Sequence, residues 1–141
     1  MRIILDTNIL VAALIRNSIT RKILLHPELE FLVSEFIFEE VEKHHEEICH
    51  KSGLDANSFM LLLDLLKDRF VFVPDEEIKH KPDAKKIMEH IDVKDSIFIA
   101  LAFSTDNEGI WSEDKHFEKQ KTVRIWKTQE LASRLNMIYA D

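Results

Sequence analysis

The sequence contains few of the residues that are typical of secreted or flexible proteins. Of its 141 residues, one is cysteine, two are glycine and three are proline. Because Cys49 has no second cysteine to pair with, a disulfide framework within the chain is excluded, and we expect the protein in the reducing cytoplasm. No stretch is biased toward one residue type. The composition therefore predicts one compact domain over residues 1–141, with neither a linker nor a disordered tail.

The sequence also lacks a long apolar run and an excess of positive charge. No run approaches the roughly 20 apolar residues that cross a membrane. Polar residues at positions 6–8 interrupt the apolar N-terminal segment, which therefore differs from a signal peptide. We expect no contact with a membrane. The net charge of −7 has the wrong sign for a protein that holds phosphates by charge alone, but it is compatible with acidic residues that bind cations.

Short apolar segments alternate with helical ones along the chain. Five segments predict strands, namely 2–5, 31–33, 70–73, 109–112 and 123–126. Helices are predicted at 8–15, 18–26, from Ser34 to Gly53, at 55–67, 83–90 and 92–104, in a short turn after Asp114, and finally to about Asn136. This alternation predicts βαβ units and a parallel sheet that is covered on both faces. In such sheets the working site lies at the carboxyl ends of the strands.

Four acidic residues from separated segments are expected to meet at that edge. Asp6 and Asp114 end the first and fourth predicted strands, Glu40 lies in the helix after the second strand, and Asp95 lies in the first turn after Asp92. Crowded carboxylates repel one another unless a cation lies among them, and Mg²⁺ and Mn²⁺ prefer oxygen ligands. Two such ions about 4 Å apart can clamp a phosphodiester and activate a water.

Each of these acids alone has a simpler interpretation. The aspartates could cap helices, and Glu40 could be one more solvated charge beside its acidic neighbours. Their joint placement at the ends of strands is what favours a metal site.

Four segments resemble the motifs of the PIN domain family, in the family's order. They are residues 3–10 (IILDTNIL), 34–41 (SEFIFEEV), 92–102 (DVKDSIFIALA) and 111–117 (WSEDKHF). The resemblance covers nearly the whole chain, from residue 3 to about residue 130. It implies a three-layer α/β/α sandwich around a parallel sheet, and cleavage of RNA that depends on Mg²⁺ or Mn²⁺.

The resemblance also implies roles for single residues. It assigns metal binding and catalysis to four acids, Asp6, Glu40, Asp95 and Asp114, with a metal-bound water as the nucleophile. Glu40 is chosen over Glu39 because an aliphatic residue, Val41, follows it. Glu113 adjoins Asp114 and could reach the metal in its place, although Asp114 fits the motif better.

Three polar residues are expected to support these acids. Asn8 is well placed to hydrogen-bond within the site, and Thr7 and Ser112 are expected to orient water or a carboxylate.

Two functions follow from the resemblance and remain open at this point. The first is a metal-dependent endoribonuclease, a hydrolase with RNA as its substrate. Because many small family members are toxins of the VapC type and many form dimers, an antitoxin and a second copy of the chain are expected partners. The alternative is a non-catalytic module for RNA binding or protein assembly. Converging carboxylates would favour the enzyme, whereas Glu40 or Asp95 in solvent would favour the module.

Other patterns predict less. His45 and Cys49 share a helix face, but two ligands without a second pair make a poor zinc site. A phosphatase of the haloacid dehalogenase type would need an acid at position 8 that donates a proton. This chain has Asn8 there, and an asparagine side chain cannot serve as that acid.

Two surface patterns remain. Residues 59–66 are apolar around most of a helix, which is therefore buried or meets a partner such as an antitoxin or a second copy. The basic residues at 79–81, at 85–86 and in the run from Lys115 to Arg124 are expected to be solvated, with contact to an RNA backbone as the alternative. Trp111 and Trp126 are expected in the core.

Overall fold

A computed structural model describes residues 1–137, in which a five-stranded sheet occupies the centre. Its strands are β1 (Arg2–Leu5), β2 (Glu30–Ser34), β3 (Phe70–Val73), β4 (Ile110–Trp111) and β5 (Ile125–Trp126). They lie in the order β3-β2-β1-β4-β5, and every neighbouring pair is parallel. The predicted parallel sheet of five strands is confirmed.

The helices of this part of the chain follow the strands in alternation. They are α1 (Thr7–Ile15), α2 (Ile19–Leu24), α3 (Ile37–Lys43), α4 (His45–Ser52), α5 (Ala56–Lys67), α6 (Lys81–Met88), α7 (Ser96–Ser104), α8 (Lys115–Glu118) and α9 (Thr128–Arg134). Two short 3-10 turns occur at Asp75–Glu77 and Val93–Asp95. Within residues 1–137, no helix combines the length and the apolar character needed to cross a membrane.

Side chains alternate between the two faces of the sheet, and both faces are buried. Ile3 and Leu5 pack with α1 to α5 and α9, whereas Ile4 packs with α6, α7 and α8. All three side chains are at most 1% exposed, which explains why the strands are continuous apolar runs. Helices therefore cover both faces of the sheet, and the predicted three-layer α/β/α fold is confirmed.

The prediction of one long helix from Ser34 to Gly53 is wrong. Ser34 is the last residue of β2, and the helical segment is divided into α3 and α4 at His44. The backbone of His44 (φ −101°, ψ 8°) departs from helical geometry. The break lets both short helices lie against α1. Gly53 ends α4 in a left-handed conformation (φ 74°), as expected for a helix-terminating glycine.

Several other predicted helices have different bounds in the structure, and two of them illustrate why. The second helix was expected to reach His26 but ends at Leu24. The Arg69 guanidinium donates hydrogen bonds to the carbonyl groups of His26 (2.7 Å) and Leu29 (3.0 Å), so the chain after α2 is held by a tertiary contact. Helix α6 begins at Lys81, two residues before the predicted start, because Pro82 is suited to the first helical positions.

Candidate metal and active site

Two of the predicted acids meet because β1 and β4 are neighbours. Leu5 pairs with Trp111 in the sheet, so Asp6 and the segment leading to Asp114 leave it side by side. The Asp6 N–H donates to the carbonyl of Trp111 (3.2 Å). Asp6 is also the N-cap of α1, and Asp114 is the N-cap of α8. Capping orients both carboxylates at the carboxyl edge of the sheet, so the simpler interpretation of these acids is compatible with a site.

Ser112 joins the two acids. Its side chain is fully buried; the hydroxyl donates to Asp6 Oδ2 at 2.6 Å and accepts from the Asp114 N–H at 3.0 Å. The N–H of Asn8 donates to the other Asp6 oxygen at 3.4 Å. Burial raises the pKa of Asp6, the charge of Asp114 adds to this effect, and the hydrogen bonds from Ser112 and from the Asn8 and Thr7 backbone oppose it. The structure thus holds a carboxylate where its charge is poorly solvated.

Asp95 brings a third carboxylate to the same place from the other helical layer. It ends the 3-10 turn before α7, and its side chain is 19% exposed. Burial and the neighbouring negative charges raise its pKa to about 6. Those charges belong to Asp92, Asp6 and Asp114. Asp6, Asp95 and Asp114 all line one cavity.

His116 and Asp92 are part of this cluster, although sequence reasoning assigned neither of them to the site. His116 Nδ1 lies 3.4 Å from Asp114 Oδ1, 3.6 Å from Asp92 Oδ2 and 3.9 Å from Asp95 Oδ2. Within residues 1–137, this buried nitrogen has no hydrogen-bond partner. Ligand atoms of Asp92, Asp95 and His116 lie within 4.8 Å of one another. The three-residue spacing of the two aspartates is a signal in the sequence, although it also fits the cap of a helix.

Glu40 is not brought into the carboxylate cluster. It lines the same cavity, of about 830 Å³, but its side chain is 48% exposed and accepts a hydrogen bond from Lys43 Nζ at 3.0 Å. Three of the four predicted acids therefore converge, and Glu40 lies at the rim.

Glu113 and Asp114 are neighbours in the chain but point to different elements. Glu113 Oε1 accepts from the backbone N–H of Thr128 at 2.7 Å, at the start of α9. Asp114 contacts His116 and Ser112 in the cluster. Of these two acids, Asp114 is the one that faces the cavity.

A comparison of the sequence with models of protein families agrees with this geometry. A sequence model of the PIN domain family matches residues 4–136. The chain belongs to the PIN domain family. The resemblance inferred from the four motifs is therefore confirmed. PIN domains are generally nucleases, and they typically use divalent metals. A search of curated proteins returned no match to this chain.

The donor set of this PIN domain fits a divalent cation. Several carboxylates share one cavity, and burial together with the neighbouring negative charges raises the pKa of Asp95, so a cation bound there would favour the ionised form. Carboxylate oxygens suit Mg²⁺ and Mn²⁺. The cluster of Asp92, Asp95 and His116 offers an additional imidazole nitrogen.

A second, larger cavity does not have these properties. It has a volume of about 1080 Å³ and is lined by residues that include Met1 and Glu108, which precede β1 and β4. It therefore includes the amino ends of these strands, whereas sites in parallel sheets form at the carboxyl ends. Position and chemistry both favour the cavity with the acidic cluster.

Proposed function

We propose that the protein is a metal-dependent endoribonuclease that hydrolyses phosphodiester bonds in RNA. The observation that carries this proposal is the convergence of Asp6, Asp95 and Asp114 at the carboxyl edge of the sheet, where all three line one cavity. Membership of a family that generally consists of nucleases supports it. The fold alone does not, because one fold can serve several functions.

The proposed roles follow from position. Asp6, Asp95 and Asp114 would hold Mg²⁺ or Mn²⁺, and Glu40 would complete the set from the rim by exchanging its contact with Lys43 for the cation. When bound, such a cation supplies Lewis-acid chemistry toward water and phosphate oxygens. Ser112 keeps the Asp6 carboxylate oriented through its 2.6 Å hydrogen bond.

Thr7 and Asn8 would support the first of these acids. Their backbone groups hydrogen-bond Asp6 where α1 begins. The side chain of Asn8 is exposed and lines the cavity, where it is available to substrate or water.

We further propose that the protein acts in the cytoplasm as the toxin of a toxin–antitoxin pair or as a homodimer. The single cysteine supports a reducing environment. The outer face of α5 supports a partner, because Leu61 is 71% exposed and Leu65 is 55% exposed. The inner face of the same helix is buried in the core, which agrees with the largely apolar character of this segment.

A second candidate function has one observation in its favour. The half-exposed Glu40 is engaged by Lys43, which is what a module without catalytic activity would allow. Under this hypothesis the cavity binds RNA or a protein and does not cleave its ligand.

RNA cleavage in the presence of Mn²⁺ or Mg²⁺ separates the two candidates. We expect wild-type protein to cleave, and we expect Asp6→Asn and added EDTA each to abolish cleavage. Glu113→Gln is the matched control, since this acid faces α9, and it should keep its activity. Equal activity in wild type and Asp6→Asn would refute the assigned centre. Inactivity of wild type on several RNAs would favour the non-catalytic module.

A further inference from the structure

A large aromatic side chain is open to solvent in the cavity that holds the carboxylate cluster. Phe36, between β2 and α3, is 42% exposed and lines this cavity. Its backbone is held in place, because its N–H donates to Ser34 Oγ (3.2 Å) and its carbonyl accepts from the Glu40 N–H (3.2 Å). The ring is therefore presented by a fixed turn.

The Phe36 ring is also free of aromatic partners. Within residues 1–137, no other ring and no cation stacks on it. Phe72 has nearly the same exposure, 43%, but packs against Phe38 with 5.3 Å between the ring centres and does not line the cavity. An exposed ring with a free face beside an active centre is suited to stacking.

Two exposed lysines line the same cavity without a salt-bridge partner in the described part of the chain. They are Lys85 on α6 and Lys94 in the 3-10 turn before α7. Two other lysines of the cavity are already paired, Lys43 with Glu40 at 3.0 Å and Lys81 with Asp75 at 2.7 Å. In a chain with a net charge of −7, the unpaired ammonium groups are local positive charges that suit phosphate oxygens.

The ring and the lysines come from opposite helical layers. Phe36 adjoins α3, whose Ile37 and Val41 pack on the side of the sheet covered by α1 to α5 and α9. Ala84 of α6 packs on the opposite side, which α6, α7 and α8 cover. The acids at the carboxyl edge of the sheet lie in the cavity that both layers line. A chain bound across this edge would meet an aromatic surface from one layer and positive charges from the other.

We propose that Phe36 stacks on a base of single-stranded RNA bound across the cavity, while Lys85 and Lys94 contact its phosphates. This inference rests on the proposed nuclease function and makes all three of them positioning residues. Stacking tolerates any sequence, because every base has a π face. Duplex RNA keeps its bases stacked with one another, so Phe36 would favour a single strand over a duplex.

Binding of a short, unstructured, fluorescein-labelled RNA tests the role of Phe36. Fluorescence anisotropy is measured with Ca²⁺, another oxygen-preferring cation, in place of Mg²⁺. We expect Phe36→Leu to weaken binding by at least about fivefold, a factor at the lower end for loss of a base–aromatic stack. Phe36→Trp should bind RNA as tightly as wild type does, and RNA should quench the emission of the introduced tryptophan. Phe72→Leu is the matched control and should bind as wild type does.

Salt dependence tests the lysines. Lys85→Gln and Lys94→Gln should each weaken binding, and each should reduce the slope of log K against log salt concentration by about 0.7, the value for one contact to a single-stranded phosphate. Lys86→Gln is the control, because Lys86 neighbours Lys85 on α6 and is exposed, but does not line the cavity.

The outcomes separate this inference from the nuclease proposal. If wild type binds and cleaves RNA but Phe36→Leu behaves like Phe72→Leu, the stacking role is refuted and the nuclease proposal stands. If binding depends on Phe36 but Mg²⁺ and Mn²⁺ give no cleavage, the stacking role stands and the nuclease proposal fails. If wild type neither binds nor cleaves RNA, both are refuted.

Discussion

The burial of Asp95 beside other carboxylates predicts that Asp95→Asn stabilises the metal-free protein at neutral pH. Burial and neighbouring negative charges raise the pKa of Asp95 from 3.8 to about 6. The folded state therefore binds this proton more tightly than the unfolded state, and ionisation of Asp95 lowers the free energy of unfolding. Below pH 3.8 the group is largely protonated in both states, so the penalty develops between pH 3.8 and about 6 and is complete above that range.

The magnitude follows from the size of the shift. About two pKa units correspond to about 3 kcal/mol, and solvent screening of a partly exposed group reduces this to about 1–2 kcal/mol. Asparagine has nearly the same shape as aspartate but carries no charge. We therefore expect Asp95→Asn to raise the free energy of unfolding by about 1–2 kcal/mol at pH 7 in EDTA. At a pH below 3.8, the variant and wild type should be nearly equal.

Urea unfolding followed by the fluorescence of the two buried tryptophans measures this difference at both pH values. Asp55→Asn is a control of opposite sign. Asp55 accepts a hydrogen bond from the Ser58 N–H at the start of α5, and its pKa is lowered, so its loss should destabilise the protein at neutral pH. Destabilisation by Asp95→Asn at pH 7, or equal stabilisation at both pH values, would refute the reasoning. Added Mg²⁺ should stabilise wild type more than the variant, because it binds the folded state.

Three further substitutions test the site and the sheet. Ser112→Ala removes the hydroxyl that bonds both Asp6 and the Asp114 N–H. We expect the free energy of unfolding, measured with urea, to fall by about 1.5–3 kcal/mol, and we expect weaker RNA cleavage. Glu40→Gln should weaken Mn²⁺ binding in calorimetry but leave the urea midpoint nearly unchanged, because this side chain is at the rim; an unchanged metal affinity would remove Glu40 from the ligand set. Gly109→Ala should cost at least about 2 kcal/mol, seen as a lower thermal midpoint, since a Cβ would lie 2.5 Å from the Arg124 carbonyl oxygen at a φ of 127°.

Elements with strong local signals were predictable from the sequence. Strand β1 has the predicted bounds because an apolar run ends at the polar Asp6, and β3 does because Pro74 stops it. The parallel sheet followed from the alternation of such strands with helices. The end of α2 was not predictable, because the chain just after it is held by Arg69, which is distant in the sequence.

The candidate site was also predictable in part, from local signals at the ends of strands. Asp6 and Asp114 follow strand ends, and neighbouring parallel strands bring their carboxyl ends together. The inclusion of His116 was not predictable, because it depends on how α8 packs beside the start of α7. The exposure of Phe36 in the cavity was likewise not predictable from the sequence, because an apolar side chain alone predicts a place in the core.

The sequence by itself determined that short strands alternate with helices, that the sheet is parallel, and that acids follow the ends of strands. These properties depend on periodicity, caps and chain breaks that lie within a few residues of one another. The tertiary structure alone decided which side chains face the cavity. Glu113 and Asp114 are adjacent and chemically alike, yet one caps α9 and the other joins the acidic cluster. The direction of a side chain depends on the elements packed around it, and those elements come from distant parts of the chain.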